Sequence, residues 1–407
     1  IFWGGGLMVT SLGVSLHQLW LIWLGAGVIG GIGLGLGYIS PVSTLIKWFP
    51  DRRGLATGMA IMGFGGGAMI GMPLGDYLIK ANGVGETFFI MGLIYLIAMT
   101  IGAFGYRVPA EGWKPEGWNP VAKKTNNMIS SSHVHVSNAH KTPQFWLLWG
   151  VLCLNVSAGI GVLSVAKPMF QEIAASSFDP LIIGAIATGF GALLSLANII
   201  GRIFWASSSD FLGRKLTYAI FFSLGTALYL AAPWAGINQY IATFVLITLV
   251  ILTMYGGGFA TIPAYLADIF GTQHVGAIHG RLLTAWSLAG IVGPMLISYL
   301  REYQLSMGIP TDQAYNSSFK ILALLLVAGF ILNLLVKPVN KKFGMTPAEL
   351  KAEQGALKGA QTNSSVVASV TNTSMQKILL PLAWIVVGVP ITLGILNALQ
   401  KGIIIFL

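Results

Sequence analysis

The chain has 407 residues, of which 55% are hydrophobic and 9% are Asp, Glu, Lys or Arg. A soluble domain carries about a quarter of its residues as charges, and no soluble core of this size could bury so much apolar surface. Lipid is therefore the medium around most side chains, and the net charge of +10 has to be explained within a membrane protein.

In chain order, apolar runs near the ~20-residue length of a spanning helix fall at 1–16, 19–46, 54–79, 86–106, 144–166, 181–206, 216–235, 240–267, 276–300, 318–336 and 378–404. Polar stretches at 107–143 and 337–377 separate them into groups. The second stretch reads as a short helix followed by a Ser/Asn/Thr-rich tether. The expected organisation is a helix bundle over 1–106, a central cytoplasmic loop over 107–143, a second bundle over 144–336, a cytoplasmic tether over 337–377 and an extra membrane helix over 378–407.

Charge sets the orientation. Placing the loop after the second span in the cytoplasm puts most of the 23 basic residues there, including Lys47, Arg52, Arg53, Arg107, Arg214, Lys215, Arg281 and Lys337. The other side keeps Lys80, Lys167, Arg301, Lys320 and Lys401, and Arg202 alone lies inside a span. This is the positive-inside asymmetry of membrane loops, and it suits a face opposed to anionic lipid. It also argues against nucleic acid as a partner, because no basic and aromatic patch stands apart from the spans.

An internal repeat runs without gaps at an offset of 222. Gly35, Pro41, Gly54, Gly58, Gly71, Leu74, Tyr77 and Leu78 match Gly257, Pro263, Gly276, Gly280, Gly293, Leu296, Tyr299 and Leu300, and Phe64 falls opposite Trp286. A parallel repeat of this size is the plan of a carrier built from two six-helix halves. Its register places the start of the first half about 80 residues before Ile1, so the expectation is a two-bundle fold whose first two helices are not in this sequence. A complete protein with an odd helix count is the other reading.

Arg202 is the residue most costly to place. An arginine inside a span costs at least ~2.5–3.5 kcal/mol and keeps its charge. Asn198 lies one turn before it, and Asp210 eight residues after it. A guanidinium facing a cavity without an acidic partner suits a carboxylate, which it can bind bidentately. Snorkelling to the cytoplasmic interface, or pairing with Asp210, is the alternative. The turn Ser209-Asp210-Phe211-Leu212-Gly213-Arg214-Lys215 suggests a cytoplasmic latch: Asp210 can take hydrogen bonds from a neighbouring helix N-terminus, and Gly213 permits the tight turn. A plain turn with interfacial charges is the simpler alternative. Tyr38, Phe64, Tyr255, Phe259 and Trp286 lie among small residues within spans. With Arg202 they could form an aromatic box around a small anion, although each alone is more often packing.

Other patterns point away from other chemistries. Gly25, Gly27 and Gly30 match a dinucleotide fingerprint only formally, because no βαβ unit surrounds them. Gly27, Gly31 and Gly35 recur every four residues, as do Gly67, Gly71 and Gly75, which predicts close helix packing along both faces. His133, His135 and His140 in the central loop could bind a metal, but a solvated loop is the simpler reading, and neither metal nor cofactor is expected. Cys153 is the only cysteine, which excludes an intrachain disulfide. Paired carboxylates, a nucleophile with its base, and metal clusters are missing from the spans, so an enzyme is disfavoured.

At these residues the chain resembles the major facilitator superfamily and, within it, the oxalate/formate antiporter family, with similarity also to monocarboxylate carriers. The resemblance rests on the Ser209–Lys215 turn, the run from Gly35 to Gly58, Lys141–Gly150 and Ala267–Gly271. It implies that Arg202 corresponds to an eighth-helix arginine that holds a carboxylate, and that Tyr38, Phe64, Tyr255 and Phe259 occupy aromatic substrate positions. A lysine of the eleventh helix, which takes the second carboxylate of oxalate in that family, is Trp286 here. One cation favours a monocarboxylate such as formate, lactate or pyruvate. Animal monocarboxylate carriers have an acidic residue where this chain has Asn198. The last apolar run resembles a single-helix companion subunit fused to the carrier. The expectation is a monomeric, multi-pass carrier of a cell membrane of the bacterial inner-membrane type, moving a small carboxylate, with exchange as one open mode. A facilitator of a neutral solute or drug with a structural Arg202, and a non-transporting sensor, are the alternatives.

Overall fold

The computed structural model describes residues 1–105, 107–109, 113–115, 130 and 133–362, with isolated positions at 392, 395, 396 and 399. The tether beyond 362 and the expected extra helix over 378–404 lie outside the described residues.

Every apolar run expected between residues 1 and 336 is helical. The first group is α1 (Phe2–Ser15), α2 (Leu19–Trp48), α3 (Arg53–Asn82) and α4 (Val84–Phe104). The second is α5 (Pro143–Ser164), α6 (Ala166–Ile173), α7 (Ile183–Leu212), α8 (Arg214–Ile237), α9 (Ile241–Phe270), α10 (Val275–Leu282), α11 (Thr284–Ser306) and α12 (Asn316–Leu335). A further helix, α13 (Pro347–Thr362), follows. In lipid every backbone polar group must find an internal partner, and a helix provides that within one segment.

Three details depart from the expected spans. The 276–300 run is two helices that meet at Leu283, whose backbone N–H bonds His279 O at 2.9 Å. The 181–206 run continues to Leu212, so α7 has 30 residues and is about 45 Å long. Chain 166–173, read as the end of a span and a loop, is the short helix α6, whose Phe170 stacks on Phe190 with ring centroids 4.9 Å apart.

The prolines that anchor the repeat lie inside long helices, Pro41 in α2 and Pro263 in α9. The two groups meet chiefly where α3 packs on α7, with α9 beside α3 and α10 beside α2. Close approach is set by glycine. A Cβ at Gly54 would collide with the Ala206 carbonyl and the Arg214 guanidinium, and one at Gly201 would collide with the Thr253 backbone. The predicted glycine faces behave differently. Gly27, Gly31, Gly35 and Gly67 meet open space, Gly71 and Gly75 stand in ordinary contact with Tyr95 and Met91 of α4, and Gly25 and Gly33 press on α1. Helix α2 therefore packs on α1 through a different glycine stripe from the one that four-residue spacing picked out.

Candidate functional site

Arg202 projects from α7 between the two groups of helices and is 2% exposed. Its Nε donates to Asn198 Oδ1 at 3.0 Å, and Nη1 donates to the Ile61 carbonyl of α3 at 3.0 Å. Its guanidinium carbon lies 5.4 Å from the Phe259 ring centroid and 5.7 Å from that of Phe64. Among the described residues no carboxylate lies within ion-pair distance of it. The side chain neither snorkels to an interface nor pairs with Asp210. It is a buried cation balanced only by carbonyl dipoles and ring faces, which offset a small part of its desolvation.

Four of the five expected aromatics form one cluster. Tyr38 of α2 lies 6.0 Å from Phe64 of α3 and 5.3 Å from Phe259 of α9, between centroids. Trp286 of α11 closes the group at 6.1 Å from Phe64 and 5.7 Å from Phe259. The repeat partners Phe64 and Trp286 thus meet where the two halves face each other. Tyr255 joins the group through a side-chain hydrogen bond with Trp286 and lies near Arg202, and it also lines a small neighbouring pocket with Asn155 and Tyr229.

A cleft of about 670 Å³ opens between α2 and the α10–α11 pair. Tyr38, Phe64, Phe259 and Trp286 line it together with Gly31, Gly35 and Ser287. Arg202 is not on its wall, which corrects the expectation that the guanidinium faces the cavity directly. The Phe64 and Phe259 rings, which touch both, stand between the cleft and the cation.

Sequence reasoning missed His279 of α10. Its ring meets Tyr38 edge-on at 5.6 Å, and its Nε2 is buried without a hydrogen-bond partner among the described residues, as is the Tyr38 hydroxyl. A polar residue beside Gly276 and Gly280, in a helix of small residues, was the available signal.

The turn between α7 and α8 is more elaborate than expected. Asp210 accepts hydrogen bonds from the backbone N–H groups of Gly54 at 2.9 Å and Leu55 at 3.0 Å, at the start of α3. A carboxylate at a helix N-terminus meets unpaired donors and the positive end of the dipole. Arg214 pairs with Asp210 at 2.5 Å and with Asp268 at 3.2 Å, and it donates to Ser209 Oγ. Asp268 at the end of α9 also pairs with Arg53 at 3.1 Å. Two carboxylates and two guanidiniums therefore tie α3 to α7, α8 and α9. Gly213 makes the turn at φ 87°, a left-handed value that favours glycine. Asp268 was missed, although a carboxylate at a cytoplasmic helix end amid positive-inside cations has ready partners.

The central-loop histidines do not form a cluster of three. His140 Nδ1 lies 3.2 Å from Arg281 Nη1, and His133 accepts from the Gln273 N–H at 3.4 Å. Burial, with the nearby His274 and Arg53, lowers the His133 pKa below its ordinary value.

The family model of the Major Facilitator Superfamily matches twice, over residues 1–195 and 157–406. The chain belongs to the major facilitator superfamily. An oxalate:formate antiporter of Oxalobacter formigenes is 27% identical over 356 residues, spanning 85% of this chain and 78% of that protein. An apicoplast pyruvate carrier of Toxoplasma gondii is 26% identical, over 76% of this chain and 64% of that protein. The crystal structure of an E. coli fucose:proton symporter superposes with a TM-score of 0.57 at 12% identity, covering 83% of this chain and 82% of that one. That last likeness concerns the fold alone. The chain is thus a multi-pass membrane transporter, which is not a typical enzyme.

Proposed function

We propose that this transporter carries a small monocarboxylate by alternating access, with Arg202 as the group that takes the carboxylate. The observation that carries the proposal is a buried guanidinium without a carboxylate partner among the described residues. A cation in that position is costly until an anion arrives, and a bidentate carboxylate supplies both charge and acceptors. The rings of Tyr38, Phe64, Phe259 and Trp286 would enclose the apolar remainder of the solute and exclude water. Asn198 would hold the guanidinium in place through its 3.0 Å bond to Nε. With Trp286 present and no second cation in the ring cluster, a monocarboxylate fits better than oxalate. The activities named for the relatives, oxalate:formate exchange and pyruvate carriage, concern small carboxylates, of which formate and pyruvate are monocarboxylates.

Access to Arg202 from the cleft requires the Phe64 and Phe259 rings to move apart, as when the two halves rock. The Asp210–Arg214–Asp268–Arg53 network would latch the cytoplasmic side shut until then. The test is counterflow of labelled formate, lactate and pyruvate in proteoliposomes. Arg202→Ala is expected to abolish it, and undiminished transport would remove the proposal. Strong oxalate exchange would contradict the one-cation argument.

A second reading has one observation in its favour. Arg202 already makes two hydrogen bonds and stays off the cleft wall, as a purely structural cation would. The cleft would then serve a neutral solute. Small carboxylates would fail to inhibit transport in that case.

A further inference from the structure

Three segments far apart in sequence bring metal-ligating groups together on the cytoplasmic side. His135 comes from the central loop, His274 from the link between α9 and α10, and Glu353 from α13. Their ligand atoms all lie within 4.8 Å of one another. We propose that His135, His274 and Glu353 form a binding site for a borderline divalent cation of the zinc type, contrary to the sequence expectation that the chain binds no metal.

The geometry suits such an ion. His274 Nε2 and Glu353 Oε2 are 3.0 Å apart. Two ligands on zinc, each at about 2.0–2.1 Å with tetrahedral angles, stand ~3.3 Å from one another. The His135 and His274 rings lie 4.9 Å apart between centroids, with planes at 70°. Two imidazoles bound edge-on to one zinc place their centroids about 5 Å apart, given the same bond length. His135 Nδ1 is 2.6 Å from Ser137 Oγ. His135 Nδ1 also accepts the Ser137 N–H at 3.2 Å, so binding a metal through Nε2 requires that capping bond to open and Nδ1 to carry the proton, which it can then donate to the hydroxyl. A closing movement of His135 completes a two-histidine, one-carboxylate set, and water takes the fourth position.

Backbone bonds already hold the three segments in place. Val134 N–H bonds Phe270 O at 2.9 Å, and Met345 N–H bonds His133 O at 2.7 Å, so the loop lies between the end of α9 and the approach to α13. Gln273 N–H bonds His133 Nδ1 at 3.4 Å, which fixes the residue before His274. A capping box starts α13: Thr346 N–H donates to Glu349 Oε2 at 2.7 Å, and Glu349 N–H to Thr346 Oγ1 at 3.3 Å. Glu349 thereby adds a second negative charge close to His135. Ordering of the ligands before the ion arrives lowers the entropic cost of binding.

The site lies beside the latch, because the loop that carries His135 bonds the end of α9 at Asp268 O, through Ser130 N–H at 2.7 Å, and at Phe270 O. A bound ion would fasten α13 and the central loop to the α9–α10 link, and so stiffen the cytoplasmic face in the closed arrangement seen here. That consequence rests on the alternating-access reading; the site itself does not.

The test is titration of the purified full chain, made without a polyhistidine tag, with Zn²⁺ by calorimetry and with Co²⁺ by absorption. The expected result is one Zn²⁺ per chain and the intense visible bands of tetrahedral Co²⁺. His135→Ala and Glu353→Gln should each weaken Zn²⁺ binding by at least about tenfold, in line with the cost of disturbing metal-site ligation. Glu353→Gln keeps the shape of a partly exposed side chain, so a folded variant is available. No stoichiometric binding, or binding that both substitutions leave unchanged, would overturn the site and leave His274–Glu353 as an ion pair only. Zn²⁺ binding that persists in an Arg202→Ala carrier inactive in transport would separate this site from the proposed substrate site.

Discussion

Asp210→Asn tests the cytoplasmic latch most directly. The native carboxylate accepts two backbone N–H bonds from the start of α3 and pairs with Arg214, and both ions are nearly buried. Asparagine keeps one acceptor oxygen and the shape, but loses the charge. It leaves Arg214 with Asp268 as its remaining carboxylate. Removing one partner of a hydrogen-bonded, partly buried charge set costs about 2–4 kcal/mol. That cost falls only on the arrangement in which α3 meets α7, so the closed-to-open equilibrium shifts by roughly 30-fold to 1,000-fold. Thr57 lies at this contact and is fully buried. In a Cys153→Ala background, a Thr57→Cys probe should react with a membrane-permeant maleimide faster by a comparable factor once Asp210→Asn is added. A labelling rate within twofold of the Asp210 parent, in protein with native helical content, would refute the latch.

Two further substitutions probe the anion contact and the bundle. Asn198→Asp places a carboxylate about where Oδ1 now stands, 3.0 Å from Arg202 Nε. The new ion pair should raise the KM for carboxylates at least about tenfold near neutral pH, by competing for the guanidinium. Protonation of the introduced carboxylate would release Arg202, so affinity should recover as pH falls, which counterflow at two pH values checks. The Tyr218 hydroxyl donates to Gly258 O at 2.5 Å in the interior of the second bundle. Tyr218→Phe leaves that carbonyl without this donor, at a cost of about 1–3 kcal/mol, and should lower the thermal midpoint without altering KM.

The spans were legible because lipid demands long apolar helices, and each run from 1 to 336 is helical. The break at Leu283 was not, since the flanking sequence stays apolar and small on both sides. The contact of Asp210 with a helix N-terminus could be read from its turn, because a carboxylate beside a short inter-helix link has few partners to choose from. Asp268, which completes the ion-pair network, and Ile61, which accepts from Arg202, come from helices distant in sequence, and hydropathy carries no pairwise information. The glycine stripe failed for a related reason: spacing identifies a face, but only the neighbour decides whether that face is used. Ring clustering was partly legible, since the repeat register places Phe64 opposite Trp286 and the two rings do meet. Tyr255 reaches the group through its hydrogen bond with Trp286 while also lining a second pocket, a double placement that spacing does not reveal.

Helix α7 carries Arg202 and Asp210 on one unbroken rod, about 12 Å apart along its axis. Thermodynamic linkage then makes the two ends reciprocal. If release of Asp210 from α3 raises the affinity of Arg202 for an anion by some factor, the anion must loosen Asp210 by the same factor. A single measured quantity, the change in anion affinity caused by Asp210→Asn, would therefore report how much of the energy of solute binding reaches the cytoplasmic gate.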